Sequence, residues 1–432
     1  MRVAFYLNTE AVKGVDIRDV DSGNPGIGGT EYMFFLIAQH LSSAMEVHFY
    51  ATRAVAFPPG VTYHPVRDFA DAVAQFQTHG EKWVIVREAE ILGNAAIIRS
   101  APQGFLAWAH NYSNAKTLKV CQRLANVVRY VCVSREQYEQ MRDERIFGKC
   151  AYVFNAAVAK AYLGAPCPAA GNSVFFMGSI IPPKGFHILA QQWPEIKRAV
   201  PDATLHIVGS GQLYDRSIPM GPLGIATAAY ERQLARYLTR DGALREDVIF
   251  HGTLGADKNQ LLRTAKVAVV NPTGVGETFC ISALEFELLG VPVITKNFGG
   301  PRDVMVDGRT GILIDRERDL AQAVVRLLRD DRLRASMAEQ AVAYARDHFD
   351  IAIVVRAWER LLRDLEAGAA ASPDFAITHP CGLKRAKDVN RRLRGVPGLG
   401  WLPSLDAGLH LLRKKKNSLF VKPWNRLRAR LG

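Results

Sequence analysis

Two glutamates eight residues apart, Glu277 and Glu285, combine residue type and spacing in a way that suits the hydroxyl groups of a sugar. They lie in Asn271-Pro272-Thr273-Gly274-Val275-Gly276-Glu277-Thr278-Phe279-Cys280-Ile281-Ser282-Ala283-Leu284-Glu285. There an apolar run, Val267–Asn271, gives way to a Gly/Pro loop and then to a helix predicted to begin near Thr278. On a regular helix the two carboxylates stand about 12 Å apart along the axis and about 80° around it. That is too far to flank one glycosidic bond, where hydrolases hold their pair roughly 5 to 9.5 Å apart. The separation suits the two hydroxylated ends of a nucleotide sugar. The diphosphate would lie between them, against the free N–H groups of Phe279, Cys280 and Ile281. A blander reading stands beside it: Glu277 complements the helix dipole and Glu285 is solvated. Phe286, Leu288, Leu289, Val291 and Val293 crowd the same helix and argue that Glu285 is held near the interior.

A second candidate lies near the N-terminus, where a polar loop ends in Gly26-Ile27-Gly28-Gly29-Thr30-Glu31 and a helix follows. Successive glycines let backbone N–H groups approach an anion, and the helix start adds a favourable dipole. Phosphate binding and a simple glycine-assisted helix start both fit. No Lys-Ser or Lys-Thr follows the glycines, which excludes a Walker loop. The glycines also come too long after the strand for a dinucleotide fingerprint, and Glu46 precedes the second strand instead of ending it.

These residues need a frame. Short apolar runs at Val3–Leu7, Val47–Ala51, Trp83–Arg87, Phe105–His110, Tyr130–Val133 and Tyr152–Phe154 alternate with helical stretches such as Glu31–Leu41 and Arg135–Arg145. Strands apolar on both faces mark a parallel sheet covered by helices. After the Gly/Pro/Ala stretch Gly164–Gly171 the alternation restarts, at Ser173–Met177, Ala203–Val208, Val248–Phe250, Val267–Asn271 and Pro292–Thr295. Helices are predicted at Leu320–Arg329, Leu333–His348 and Ile351–Glu366. The fold class is therefore α/β, with two doubly wound, Rossmann-like parallel-sheet domains facing each other across a cleft. The expected divisions are a first domain at 1–168, a second at 169–348, a closing helix at 349–368 packing back on the first domain, and a basic, partly disordered or amphipathic tail at 369–432.

Composition narrows the classes further. The 432 residues carry a formal charge of +13, but from Lys384 to the end fourteen Lys or Arg face only Asp388 and Asp406. The body is thus near neutral and the tail is a polycation. No run of about 18 apolar residues exists to span a bilayer, and the start, Met1–Asn8, is too short an apolar run for a secretory signal. The cysteines at 121, 132, 150, 167, 280 and 381 show no Cys-x-x-Cys spacing and read as reduced cytosolic thiols. His187, His206 and His251 lack ligand spacing, and no metal is expected.

Several ordered motifs carry a resemblance. Glu-x7-Glu is followed by Gly290-Val291-Pro292-Val293-Ile294-Thr295, Gly299-Gly300-Pro301-Arg302-Asp303-Val304 and Asp307-Gly308-Arg309-Thr310-Gly311-Ile312-Leu313. The set resembles the signature of the large retaining GT-B glycosyltransferase family, group 1 or family four, over about residues 1–365. The match is tighter in the second domain than in the first. The resemblance implies transfer of a sugar from a nucleotide diphosphate with retention of configuration, as in bacterial cell-surface polysaccharide or glycolipid synthesis. It assigns Glu277 to hydroxyls of the donor sugar, Glu285 to the ribose, and Gly28 and Gly29 to the diphosphate. Lys184, in Phe176-Met177-Gly178-Ser179-Ile180-Ile181-Pro182-Pro183-Lys184-Gly185, matches the phosphate-neutralising lysine. Ser179 stands where the family has an arginine, so one cation is missing, and Arg302 is a candidate replacement. His110, in Trp108-Ala109-His110-Asn111, matches a histidine near the reacting carbon, and Asn155 a residue closing the first domain. His110, Lys184 and Glu277 are thus the implied catalytic residues. Gly28, Gly29, Ser179, Lys184, Glu277, Phe279, Cys280, Ile281 and Glu285 are the implied donor site. No cofactor and no catalytic metal are implied.

The acceptor, a carbohydrate or a lipid-linked sugar, is expected against Asn8–Pro25 and Asn111–Asn114. In the tail, Lys384–Arg394 and Arg413–Arg430 interleave cations with Leu393, Trp401, Leu411, Leu412, Phe420, Val421 and Trp424. Three readings stay open: an anionic membrane surface through residues 384–430, which places the protein in the cytoplasm against the inner face of the membrane; a solvated tail; and, less well suited, nucleic acid. A sugar-nucleotide epimerase and a non-catalytic sugar-nucleotide binder are the alternative functions.

Overall fold

The computed structural model describes residues 1–408 apart from residues 13, 54–56, 165–170, 214, 216 and 256. Most of the Gly164–Gly171 linker, with the expected 168/169 boundary and Cys167, lies outside the described residues, as does Arg413–Arg430.

Seven parallel strands form the first sheet: β1 (Arg2–Leu7), β2 (Glu46–Ala51), β3 (Thr62–Pro65), β4 (Trp83–Arg87), β5 (Gly104–Ala109), β6 (Val127–Cys132) and β7 (Cys150–Tyr152), in the order β3-β2-β1-β4-β5-β6-β7. Six make the second: β8 (Asn172–Met177), β9 (Ala203–Val208), β10 (Val248–Gly252), β11 (Val267–Val269), β12 (Val293–Lys296) and β13 (Gly311–Ile314), in the order β10-β9-β8-β11-β12-β13. Parallel strands buried on both faces need no alternation, and β5 shows none, with all six residues buried. The register stacks like on like: Phe5 pairs with Phe49, and their rings lie 5.9 Å apart and nearly coplanar.

The sequence reading misses one edge strand of each sheet, β3 and β13. β3 reads Thr-Tyr-His-Pro and is partly exposed throughout, so it lacks the apolar signature of an interior strand. β13 closes the other sheet within a segment that reads as a family motif. The long helix predicted at Arg135–Arg145 stops at Gln140, and a 3-10 turn follows at Arg145–Lys149.

The chain then returns. The Ala157 N–H donates to the carbonyl of Phe349 at 3.0 Å and the Ala157 carbonyl accepts from the Ile351 N–H at 2.9 Å, and the helix Ile351–Glu366 lies on the first domain against the helix Gly29–Leu41. Trp358, fully buried, meets Trp108 edge to face at 4.9 Å, and Glu366 accepts hydrogen bonds from Trp83 Nε1 at 2.7 Å and Lys82 Nζ at 2.9 Å. One apolar core therefore contains side chains of both sheets and of the returning helix.

Beyond it a strap, residues 374–405, is sewn to the helix Arg135–Gln140 and the turn after it. Arg142, fully buried, donates to the carbonyls of Phe375 and Ala376 at 2.8 Å, and Glu139 accepts from the backbone and hydroxyl of Thr378. The helix Gly382–Arg394 sets Lys384 between Glu136 and Glu139, at 2.5 and 2.7 Å, with all three side chains fully buried. Lys387 is likewise buried, beside Asp143 and Asp406. This corrects the reading of Lys384–Arg394 as part of a partly disordered tail whose excess charge is all available to a partner or to solvent. Its Lys residues are structural counter-ions, and the outward charge comes from arginines such as Arg385 and Arg392.

Removing one partner of a buried ion pair leaves an uncompensated charge, which costs about 3–5 kcal/mol. Lys384→Ala is therefore expected to destabilise the chain by about that amount, whereas Arg385→Ala stays within about 0.5 kcal/mol. Urea unfolding of the two variants measures the difference.

Candidate functional site

A cavity of about 520 Å³ lies between the two sheets. Besides the segment after β8 that carries Ser179 and Lys184, four segments at strand or helix ends bring charge or free amides to it.

The first is the glycine loop. Asn24 Oδ1 accepts the N–H groups of Gly26 and Ile27, both at 2.9 Å, and its amide donates to the carbonyl of Ile27. The loop is thus shaped by one side chain. Gly26 has φ +86°, and a Cβ there would press on the carbonyl of Leu254 across the cleft. Gly28 caps the helix Gly29–Leu41 with no side-chain hydrogen bond, so the first-turn N–H groups have no intrahelical partner and face the cavity at Gly28, Gly29, Thr30 and Glu31.

The second is the loop after β11. The helix begins at Ile281, not near Thr278. Glu277 therefore lies four residues ahead of it on irregular backbone, and a separation reckoned along one helix does not apply to the pair. Gly299 and Gly300 hold that backbone in place. Gly300 N–H donates to the carbonyl of Glu277 at 3.1 Å, and a Cβ on Gly300 would collide with the backbone of Thr278 and Phe279. Glu277 Oε2 accepts from Lys184 Nζ at 2.8 Å and from Asn271 Nδ2 at 2.7 Å. Burial pushes its carboxyl up, but the charge and hydrogen bond of Lys184, with the amide of Asn271, outweigh this and hold it below the ordinary range. Asn271 itself has φ +34°, a conformation asparagine tolerates better than most residues. Past Glu277, Cys280 adopts φ +91° at the helix start with no side-chain cap, so a second amide-rich helix mouth opens on the cavity through Phe279, Cys280, Ile281 and Ser282.

The third is the end of β5. Thr278 Oγ1 donates to the carbonyl of His110 at 2.6 Å, tying the domains together at this point. The His110 ring rests 4.5 Å from that of Trp108 and lines the cavity, and its Nε2 has no hydrogen-bond partner. Burial, with the nearby charge of Arg87, lowers its pKa to about 3, so the imidazole is neutral.

The fourth is the end of β4. Arg87 lines the cavity and bonds Glu31 at 3.1 Å. The sequence reading misses it, since one arginine ending an apolar strand carries no motif. Arg302, the expected replacement for the absent family arginine, does not reach the cavity: its Nε donates to Asn297 Oδ1 at 2.8 Å. Ser179 lines the cavity as an uncharged residue, with its Oγ directed to the carbonyl of Ser210.

The structure thus brings together Gly28, Gly29, His110, Ser179, Lys184, Glu277, Phe279, Cys280 and Ile281, and adds Arg87, Asn155 and Asn271. Glu285 is not among the lining residues. It is buried, with its carboxylate taken by Lys258 at 2.9 Å and Tyr162 Oη at 3.0 Å.

Two facing parallel-sheet domains with a ligand-sized gap between their strand ends define the GT-B class, and solved structures share the arrangement. The Anabaena protein HepE, solved in complex with UDP-glucose, aligns with a TM-score of 0.65 over 84% of this chain and all of its own, at 19% identity. Sucrose-phosphate synthase from Thermosynechococcus elongatus aligns with a TM-score of 0.66 over 85% of this chain and all of its own, at 17% identity. Residues 171–330 match the family described as Glycosyl transferases group 1. A D-inositol 3-phosphate glycosyltransferase of Acidothermus cellulolyticus is 32% identical over 200 residues, which are 45% of this chain and 42% of that protein. A GDP-mannose-dependent alpha-(1-6)-phosphatidylinositol monomannoside mannosyltransferase of Mycolicibacterium smegmatis is 30% identical over 179 residues, 41% and 44% of the two chains. The chain spans less than half the length of these curated relatives.

His110 is expected to stay neutral throughout the ordinary pH range. Its folded pKa lies below the unfolded value near 6.5. Acidification below about 6.5 therefore favours the unfolded chain, which takes up the proton more readily. Imidazole NMR should show no charge change at His110 between pH 8 and 5, and a ring titrating near 6.5 would contradict the buried placement.

Proposed function

We propose that the chain transfers a glycosyl unit from a nucleoside diphosphate donor to a hydroxyl acceptor, with retention of configuration and with no metal at the phosphates. The observation that carries this reading is the Lys184–Glu277 pair, 2.8 Å apart, in a cavity onto which one helix mouth from each domain opens. The diphosphate sits between the two sets of amide groups, where anions are favoured. Glu277, ionised, accepts hydrogen bonds from the donor sugar, and His110 Nε2 meets a sugar hydroxyl. The acceptor oxygen bonds to the anomeric carbon as the bond from that carbon to the phosphate oxygen breaks. The electron pair leaves with the nucleoside diphosphate, and the acceptor proton passes to the departing phosphate oxygen on the same face. Lys184 stabilises the charge that develops there. Arg87 supplies, from the first domain, the second cation that Ser179 does not. The matches to inositol-phosphate and phosphatidylinositol glycosyltransferases support a polyol or lipid-borne acceptor.

A panel of UDP-, GDP- and ADP-sugars tests this by calorimetry and by product analysis. Lys184→Ala should cut turnover about 100-fold or more, by analogy with loss of one transition-state donor, and Arg87→Ala should also reduce it. Turnover should be unchanged when Mg²⁺ or Mn²⁺ is omitted. Binding with only epimerised or hydrolysed donor as product would sink the transfer reading.

The exposed residues of the strap support a membrane-surface acceptor. Leu383, Val389 and Leu393 on its helix and Val396 and Trp401 beyond the helix end are exposed, Trp401 at 70%, and Arg385 and Arg392 are exposed on the same helix. Exposed apolar and cationic groups in one short segment suit anionic lipid headgroups. No helix among the described residues is long and apolar enough to cross a membrane. Vesicles containing phosphatidylglycerol should sediment the protein, and vesicles of phosphatidylcholine alone should not. The double variant Leu393→Ser, Trp401→Ser should weaken the sedimentation several-fold with the fold intact.

A further inference from the structure

Away from the cavity, the edge of the first sheet gathers three histidines from three elements: His48 on β2, His64 on the edge strand β3, and His79 at the end of the helix Phe69–His79. One ring nitrogen from each lies within 4.8 Å of the others. None of the three lines the cavity.

Two observations distinguish this group from a chance cluster. The first is geometric. His64 Nε2 and His48 Nδ1 stand 3.2 Å apart, which is close to the separation of about 3.3 Å between two nitrogens bound at 2.0–2.1 Å to one tetrahedral metal. A nitrogen–nitrogen contact needs one proton between the two, yet His48 Nδ1 also faces Glu81 Oε1 at 2.6 Å. One N–H cannot serve both partners well. The second is a buried carboxylate with one oxygen left unpartnered. The Glu81 side chain is fully buried, and its Oε2 has no hydrogen-bond partner. Its other oxygen accepts from Tyr50 Oη at 3.0 Å, and that hydroxyl also meets His79 Nδ1 at 2.8 Å. On the far side, His48 Nε2 meets Glu46 Oε1 at 3.1 Å, the arrangement in which an outer carboxylate fixes the tautomer of a metal-bound imidazole.

We infer that His48, His64 and His79, with Glu81 beside them, form a binding site for one divalent transition-metal ion, zinc in the first instance. Three imidazole nitrogens and a carboxylate oxygen match the ligands and the number that zinc takes. The ion would exchange the shared proton for a charge that Glu81 and Glu46 neutralise, and it would pin β3 and the helix Phe69–His79 to β2. Its role is structural, since the group lies apart from the cavity. The spacing hides the site, because the three histidines are fifteen or sixteen residues apart and match no short zinc motif.

The test uses the full chain with any affinity tag removed, dialysed and then offered Zn²⁺ or Co²⁺ alone. One zinc per chain by mass spectrometry is expected, with a rise in Tm on zinc addition and the visible absorption of four-coordinate cobalt. His64→Gln, on the exposed edge strand, and His79→Gln should each lose the cobalt spectrum and the thermal shift. Circular dichroism should show both variants folded. A wild-type chain that binds no stoichiometric zinc, or a folded His64→Gln variant that binds it as tightly, would overturn the site. Glycosyl transfer is measured separately, so neither result depends on the other.

Discussion

Two parallel sheets that both end in unpaired amides need something to hold them one ligand apart, and here that constraint is met by the chain crossing back. After the second domain is complete, the Phe349–Ile351 corner bonds to Ala157, and the helix beyond it buries Trp358 against Trp108 in the first domain. Every other cross-domain contact is consistent with this doubled connection. Thr278 reaches the carbonyl of His110, Tyr162 donates to Glu285, and Asp303 accepts the backbone N–H of Glu136 at 2.6 Å. Burial pushes the Asp303 carboxyl up to about 7, against the Glu136 N–H and the charge of Lys384. The strap lysine therefore also tempers a group of carboxylates at the domain boundary.

Within that frame the charges follow simple rules. Each helix mouth offers partial positive charge, and neither is capped by its own side chain. Lys184 is held by Glu277, and Arg87 by Glu31, so each cation at the cavity has a carboxylate partner close by. In the proposed reaction an incoming diphosphate would meet cations already placed, which limits the reorganisation that binding requires. The neutral imidazole of His110 adds a polar edge without adding charge.

Much of this was legible because burial leaves a signature in composition. Interior strands such as β1 and β5 are unbroken apolar runs, and their positions follow from the residues alone. The edge strand β3 was not legible: it is short, polar and half-exposed, so nothing in Thr-Tyr-His-Pro requires a strand until β2 lies beside it. The same division runs through the site. Glu277, Lys184 and the glycines are carried by local motifs and reach the cavity. Glu285 matches its motif equally well, yet its carboxylate is occupied by Lys258 and Tyr162, which no local pattern reveals. Arg87 and Asn271 depend on where a strand stops and how a loop turns. Lys384 reads as one more tail cation because its partners Glu136 and Glu139 lie some 245 residues earlier in the chain.

The returning helix and its strap have a consequence for how the molecule is made. A nascent chain emerges N-terminus first, and domains commonly fold in that order. Here the seven-stranded sheet cannot cover Trp108 or neutralise Glu136 and Glu139 until residues 351–394 have left the ribosome. The lobe synthesised second can therefore finish its core while the lobe synthesised first still waits for its final pieces, so completion runs opposite to translation.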